Sequence, residues 1–205
     1  MNRIFLTIVI FSLILSSCDN GSDLVNGTPY ESIYQPMSSS PTLLRGATVL
    51  TGNGERFENT DIILKEGKID AIGPNLVAED IIVIDAKGMW ITPGVIDVHS
   101  HLGVYASPRV RAHSDGNEAT APNTAEVWAE HSVWPHDPGF VTALAGGITS
   151  LQILPGSANL IGGRGVTLKN IPGQSVMEMK FPGAPHGLKM ACGENPKRVY
   201  GSRRQ

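Results

Sequence analysis

WITPGVIDVHSHL, residues 90–102, is the stretch of sequence that decides the fold. A proline and a glycine interrupt the chain just before an apolar run, so a new element is expected to start at Val95. Side chains on a β-strand alternate between two faces, which places Asp97, His99 and His101 on the same face. Two imidazoles about 6.6 Å apart along a strand can share one metal ion at about 2.0–2.1 Å per bond. The stretch therefore predicts a buried strand that presents His99 and His101 as metal ligands.

Asp97 has its own place in this hypothesis. A metal-bound imidazole usually needs a nearby acceptor that fixes its tautomer, and a carboxylate on the same strand face can serve. We therefore predict that Asp97 supports the two ligands from behind. The alternative is that the His-x-His pair arose by chance, and the spacing alone leaves that alternative open.

Several stretches carry a resemblance to a known family. PGVIDVHSH at residues 93–101 resembles the first-strand signature of the amidohydrolase superfamily, which comprises metal-dependent hydrolases with a β/α barrel beside a small β-sandwich. ALAGGITS at 143–150, LPGSANLIGG at 154–163 and GENPKRVYG at 193–201 resemble its imidazolonepropionase-like branch. The resemblance extends from about residue 43 to the end. It implies an α/β fold in which the first strands of a TIM-type (β/α)8 barrel follow part of a composite β-sandwich.

The resemblance also implies a chemistry and a set of candidate residues. It implies hydrolysis of carbon–nitrogen bonds in amides, cyclic amides or peptides, with one or two divalent ions. Zinc is the first choice, although paired imidazoles also suit iron, nickel or manganese. Members with two metals bridge them through a carboxylated lysine or a glutamate. Glu194 or Lys189 is the candidate bridge here, and Glu194 is also the candidate catalytic residue.

Two polar residues are candidates for substrate binding. Ser157 and Asn159 follow the predicted strand Ile148–Leu154, and barrel enzymes keep their chemistry at the carboxyl ends of strands. Both side chains can form hydrogen bonds with a substrate. A plain glycine-rich turn is the alternative interpretation.

Length and composition limit the possible functions. The chain has 205 residues, of which 41% are hydrophobic and 17% charged, so it can bury a core. A net charge of −3 offers no electrostatic basis for nucleic-acid binding, and a small amide or peptide is the expected partner. A β/α barrel needs about 250 residues, so residues 89–205 are expected to hold only its first strands. We therefore expect the amino-terminal part of a longer enzyme, inactive alone and able to form a homo-oligomer.

The first 42 residues predict export and anchoring. Residues 1–18 read as a lipoprotein-type signal peptide: Arg3 precedes an apolar run that is too short to span a membrane. Leu15-Ser16-Ser17-Cys18 resembles a lipoprotein cleavage box, so Cys18 is predicted to be lipidated and to hold the protein in a bacterial cell envelope. A plain secretory peptide is the alternative. Residues 19–42 are rich in serine, asparagine, glycine and proline and predict a flexible tether.

Residues 43–88 predict the amino-terminal part of the sandwich. Leu43–Leu50 is rich in β-formers, Asp61–Leu64 is expected to pair with Lys68–Ile72 across a short turn, and Asp80–Asp85 adds a strand. Because the segment that completes such a sandwich in the superfamily is not recognisable here, we expect an exposed edge.

Residues 89–205 predict the first part of the barrel. A long excursion, residues 103–136, follows the His-x-His strand and includes a predicted helix at Thr124–Val133. Its histidines are expected to lie at the surface. Asp137-Pro138 predicts a helix start that leads into the strand at residues 148–154, and Leu188–Ala191 is the predicted third barrel strand.

A rival hypothesis is not catalytic. An envelope-anchored binding or structural lipoprotein could keep the fold and lack the chemistry. The incomplete set of recognisable ligands is what favours it.

Overall fold

The structure, a computed structural model, describes residues 30–201. The predicted signal peptide at residues 1–18, Cys18 itself and the first part of the predicted tether lie outside the described residues. The chain divides into two units, Met1–Glu31 and Ser32–Gln205, and all elements described below belong to the second. Within residues 30–201, none of the helices has the length and apolar character that a membrane crossing requires.

The first half of the second unit folds into a five-stranded sheet. Its strands are β1 (Thr42–Leu50), β2 (Arg56–Lys65), β3 (Lys68–Gly73), β4 (Ile82–Asp85) and β5 (Trp90–Ile91). The β1–β2 and β2–β3 pairs are antiparallel, whereas β4 and β5 both run parallel to β1. The predicted strands and the hairpin between β2 and β3 are therefore present. Positive φ angles of 52° at Glu66 and 71° at Gly67 let the hairpin turn tightly.

This sheet buries a small core, and the apolar side chains of its edge strand β4 are exposed. Ala47, Val49, Ile62 and Ala86 pack together beneath β1 and β2. On β4, which lies at the end of the sheet, the apolar side chains of residues 82–84 are between 44% and 53% exposed. This is the kind of exposed edge that the sequence predicts.

The second half begins with a strand–helix–strand unit. Strand β6 (Val95–Ser100) leads through the excursion to α1 (Pro138–Ala145) and then to β7 (Ile148–Ile153), which pairs with β6 in parallel. This is the β/α arrangement that the sequence predicts. β9 (Val166–Lys169) joins β7 in antiparallel orientation, so the sheet has the order β6-β7-β9.

The prediction that β6 is a buried strand is wrong. Its apolar residues Val95, Ile96 and Val98 are 52%, 66% and 69% exposed. Among the described strands β6 has only β7 as a neighbour, so nothing in residues 30–201 covers this apolar set.

The predicted third barrel strand pairs differently from expectation. β10 (Leu188–Met190) is antiparallel to β8 (Ile161–Arg164) in a separate two-stranded ribbon. A strand of only three residues, Leu-Lys-Met, carries no information about its partner or direction, so the sequence pattern could not exclude this pairing. The β6–β7 pair is thus the one parallel pair of barrel type among the described strands.

The predicted helix at Thr124–Val133 is also wrong. The described excursion contains only two short 3-10 turns, Arg111–His113 and Ala129–His131. Besides the bonds within its short turns, its backbone bonds to β8: the Thr124 amide donates to the Ile161 carbonyl at 2.8 Å, and the Arg164 amide donates to the Val127 carbonyl at 2.7 Å. These bonds hold the excursion against the ribbon.

Asp137 closes the excursion and caps α1, as the sequence predicts. Its carboxylate is 1% exposed and accepts hydrogen bonds from the amides of Gly139 at 2.8 Å, Ser107 at 2.9 Å and Gly103 at 2.8 Å. One side chain therefore joins the start of α1 to the loop that follows β6. This loop carries His101.

One core supports the whole second half. Its buried members come from the excursion, α1, β7, β9 and the short helix α2 (Val176–Met179). They are Val104, Val133, Phe140, Leu151, Ile153, Val166, Leu168, Val176 and Met179. The last helix, α3 (Glu194–Tyr200), follows β10.

The part of the predicted tether that the structure describes is bonded to other segments of the chain. Residues 30–41 contain no helix or strand, but the Ser32 hydroxyl donates to the Lys180 carbonyl at 2.7 Å. The Ile33 amide donates to the Met177 carbonyl at 3.0 Å, and the Lys169 Nζ lies 4.8 Å from the Tyr34 ring centre. The tether prediction therefore needs correction at residues 32–34, where side-chain and backbone bonds hold the chain on the folded body.

Candidate metal centre

His101 has a defined ring orientation. Its Nδ1 lies 2.8 Å from the Leu154 carbonyl oxygen, at the end of β7. A carbonyl can only accept, so Nδ1 carries the hydrogen and Nε2 of the neutral ring keeps a free lone pair. The Leu154 amide in turn donates to the Ser100 carbonyl at 2.9 Å. The ends of β6 and β7 thus hold His101 in the tautomer that binds a metal through Nε2.

His99 and Lys189 complete a compact group with His101. The two imidazole rings are 5.3 Å apart between centres and nearly perpendicular. The Lys189 Nζ, on the separate ribbon, lies 3.1 Å from the His99 Nε2, and Lys189 is 9% exposed. Folding therefore brings a buried amine from β10 to the predicted ligand pair across 90 residues of sequence.

Burial favours the neutral forms of His101 and Lys189. Burial lowers the pKa of His101, the Leu154 hydrogen bond opposes that shift, and the nearby charges of Lys189 and His99 add to it. Burial also lowers the pKa of Lys189. Neutral imidazole is the form that coordinates a metal. The donor chemistry of the three side chains therefore fits a metal ion.

Asp97 makes a different contact from the predicted one. Its Oδ1 accepts a hydrogen bond from the His99 backbone amide at 3.0 Å. The acceptor that fixes a ring tautomer is instead the Leu154 carbonyl. A backbone carbonyl has no sequence signature, so only the pairing of β6 with β7 could reveal it.

The two candidate bridging ligands, Glu194 and Lys189, have different surroundings in the structure. Glu194 is the exposed first residue of α3, and none of the described contacts joins it to either histidine. Lys189 is buried against His99. Within residues 30–201, no group of three or more histidine, cysteine, aspartate or glutamate side chains is arranged to hold a metal ion.

The two candidate substrate-binding residues differ in accessibility. The Ser157 hydroxyl is half-buried and accepts a hydrogen bond from the Asn195 amide nitrogen at 2.7 Å. Asn159 is 1% exposed, and its Nδ2 donates to the carbonyls of Glu118 at 2.5 Å and Ala121 at 2.7 Å. The substrate-binding prediction for Asn159 is therefore corrected: its amide nitrogen joins the excursion to the loop after β7.

The remaining histidines of the excursion lie at the surface, as expected. His113, His131 and His136 are all exposed. His113 packs on Trp134 with 4.9 Å between ring centres. None of the described contacts brings these three rings to His99 or His101.

Comparison with known proteins gives the family. No family model matches the chain. An amidohydrolase from Hapsidospora irregularis is 34% identical over 197 residues, which cover 83% of this chain and 20% of that protein. A dihydroorotase from Halalkalibacterium halodurans is 41% identical over 61 residues, covering 30% of this chain and 14% of that protein. The chain thus spans a fifth or less of the length of these curated relatives.

A solved structure extends the likeness to three dimensions. The crystal structure of an amidohydrolase from Thermotoga maritima MSB8 superposes with a TM-score of 0.71 at 43% sequence identity. The match covers 80% of this chain and 42% of that protein. Together with the paired histidines at the end of β6, these likenesses show that the chain belongs to the amidohydrolase superfamily.

Proposed function

We propose that this chain supplies His99 and His101 as metal ligands of a hydrolase that acts on carbon–nitrogen bonds of amides, cyclic amides or peptides. The observation that carries the proposal is the fixed tautomer of His101, whose Nε2 is free beside the His99 ring. The relatives named amidohydrolase and dihydroorotase support the reaction class. The imidazolonepropionase-like branch is the proposed position within the superfamily.

The residues present have distinct tasks in this mechanism. A divalent ion, when bound, lowers the pKa of a water molecule toward neutrality and polarises the scissile carbonyl. The Leu154 carbonyl holds the His101 ring so that Nε2 keeps its lone pair. The Asp97 carboxylate bonds the His99 backbone and thereby fixes the end of β6. Superfamily members generally bind divalent metals, and zinc is our proposed ion.

Lys189 is the better of the two candidate bridging ligands. An amine binds a cation only when it is neutral, and burial shifts Lys189 toward that form. A neutral lysine can also add to carbon dioxide: a nitrogen–carbon bond forms, a proton leaves to solvent, and a carbamate with two ligand oxygens results. The position of Lys189 at 3.1 Å from His99 supports this role. Glu194, already anionic, has no comparable position.

Separate substitutions of Lys189 and Glu194 test which of them is the bridging ligand. In protein expressed from its full coding sequence, Lys189→Ala is expected to reduce bound zinc and to slow hydrolysis by about 10²–10³-fold, the usual effect of removing one preorganised electrostatic group. Glu194→Gln and the exposed control Lys197→Ala should leave both near wild type. Zinc is measured by elemental analysis and hydrolysis by amine release. Loss of zinc in Glu194→Gln, with Lys189→Ala unaffected, would assign the bridge to Glu194.

We also propose that residues 1–18 direct export and that Cys18 carries a lipid anchor. The basis is Arg3, the apolar run and the Leu15-Ser16-Ser17-Cys18 box. The protein would then lie on the periplasmic or surface face of the envelope, attached through lipid alone.

Fatty-acid labelling tests the anchor. Cells that express the wild type in the presence of radiolabelled palmitate should incorporate label, and the protein should partition with membranes. Cys18→Ala should abolish the label and release the protein, whereas Cys192→Ala should change neither. Labelling that survives Cys18→Ala would contradict the proposal.

The non-catalytic lipoprotein has no support from the relatives. The relatives that support the family are named for enzymes. The structure also places a buried lysine against His99, a costly arrangement that a purely structural protein does not need.

A further inference from the structure

Tyr105 lies directly against the candidate ligand His101. The two ring centres are 5.5 Å apart, and the rings meet edge to face at 85°. The Tyr105 amide donates to the His101 carbonyl at 2.9 Å, which closes a turn and brings the two side chains together. Edge-to-face contacts of this kind favour one mutual orientation of the two rings.

Two glycines make room for the Tyr105 side chain. A Cβ atom at Gly116 would overlap the tyrosine ring, and a Cβ atom at Gly156 would overlap its hydroxyl oxygen. The Gly156 amide also donates to the Gly116 carbonyl at 2.6 Å, so the two glycines hold each other beside the ring. Tyr105 therefore occupies a slot between two loops, in which the absence of a side chain at Gly116 and Gly156 makes room for its ring and hydroxyl.

Asn117 ties the hydroxyl of Tyr105 to the loop after β7. Its Nδ2 donates to the Tyr105 hydroxyl, and its Oδ1 accepts from the Ala158 amide at 3.0 Å. The excursion and the loop after β7 are thus joined through Asn117, which also binds the Tyr105 hydroxyl. Leu154, whose carbonyl binds His101, lies just before this second loop.

We propose that Tyr105 is a positioning residue that holds the His101 ring in its metal-binding orientation, an inference that rests on the proposed function. The Leu154 carbonyl restrains the ring in its own plane through Nδ1, and the edge of Tyr105 restrains its tilt. Neither contact alone restrains both the rotation of the ring in its plane and its tilt. An edge-to-face pair of rings contributes the free energy of about a 2–10-fold change in affinity, which is the expected effect of losing this restraint.

Zinc affinity is the measurement that tests this role. In protein expressed from its full coding sequence, competition with a chromophoric chelator is expected to show that Tyr105→Leu weakens zinc binding by about 2–10-fold. Tyr105→Phe keeps the ring and should retain nearly wild-type affinity. Tyr34→Leu, which removes a tyrosine that contacts Lys169 instead, is the matched control and should also bind normally.

A second variant tests the same role of Tyr105 without replacing Tyr105 itself. Gly116→Ala leaves Tyr105 and His101 unchanged but pushes the tyrosine ring from its slot, so it should also weaken zinc binding. Circular dichroism during heating identifies the variants that remain folded. Unchanged zinc affinity in a folded Tyr105→Leu or Gly116→Ala variant would overturn the inference.

The histidine variants separate the two proposals. If His99→Ala and His101→Ala lose zinc while a folded Tyr105→Leu variant does not, only the role of Tyr105 is refuted. If the histidine variants keep wild-type zinc affinity, the metal centre itself is refuted, and the role of Tyr105 with it.

Discussion

His99→Ala, in protein expressed from its full coding sequence, is expected to lose bound zinc and to hydrolyse amide substrates at least about 10³-fold more slowly, a loss no smaller than that caused by removing one preorganised electrostatic group. The reason is geometric. His99 and His101 lie side by side at the end of β6, and removing one ring leaves a single imidazole from this strand. His101→Ala should have the same effect.

Zinc content by elemental analysis and amine release from cyclic amides and dipeptides measure the loss. His113→Ala is the matched control, because this histidine is exposed and packs on Trp134. Its zinc content and hydrolysis should remain at the wild-type level. Undiminished activity in His99→Ala would refute the proposed site.

Glu130→Gln is expected to lower the free energy of unfolding by about 3–5 kcal/mol, the usual cost of removing one partner of a buried ion pair. The Glu130 carboxylate lies 2.8 Å from the Lys180 Nζ, and the two side chains are 4% and 7% exposed. The substitution keeps the shape of the side chain but removes the carboxylate charge that faces the buried Lys180 ammonium at 2.8 Å. Urea unfolding followed by circular dichroism measures the change.

Two further variants test whether the loss of stability arises because the charges are buried or simply because an ion pair is broken. Glu58→Gln breaks the exposed pair with Arg56, which water already screens, and should leave stability unchanged within error. The double substitution Glu130→Leu, Lys180→Met removes both buried charges and should recover much of the loss. Equal destabilisation by Glu58→Gln and Glu130→Gln would contradict this account.

The elements that the sequence predicts correctly are those with local causes. The hairpin between β2 and β3 follows from two strand-forming runs joined by a short turn, and α1 starts directly after Asp137 because the Asp137 carboxylate caps its first turn. The parallel β6–β7 pair follows from a strand–helix–strand pattern. In the hairpin and at the start of α1 the decisive contacts join residues that are close in sequence, and the β6–β7 pair follows from the order of strand, helix and strand along the chain.

The elements that the sequence predicts wrongly depend on distant partners. Residues 124–133 do not form a helix because their backbone bonds to β8. Leu188–Met190 pairs with β8 and does not extend the parallel sheet. The apolar face of β6 is exposed because its environment depends on neighbouring strands and not on its own composition.

In the candidate site, too, the sequence predicts some features and only the fold reveals the others. The sequence by itself determined the family resemblance and the adjacency of His99 and His101, because alternation along one strand places their side chains together. Only the tertiary structure decided between Lys189 and Glu194 as the neighbour of His99, and identified the Leu154 carbonyl and the Tyr105 ring as the restraints on His101. These contacts join separate strands and loops, and no local pattern records which of them meet when the chain folds.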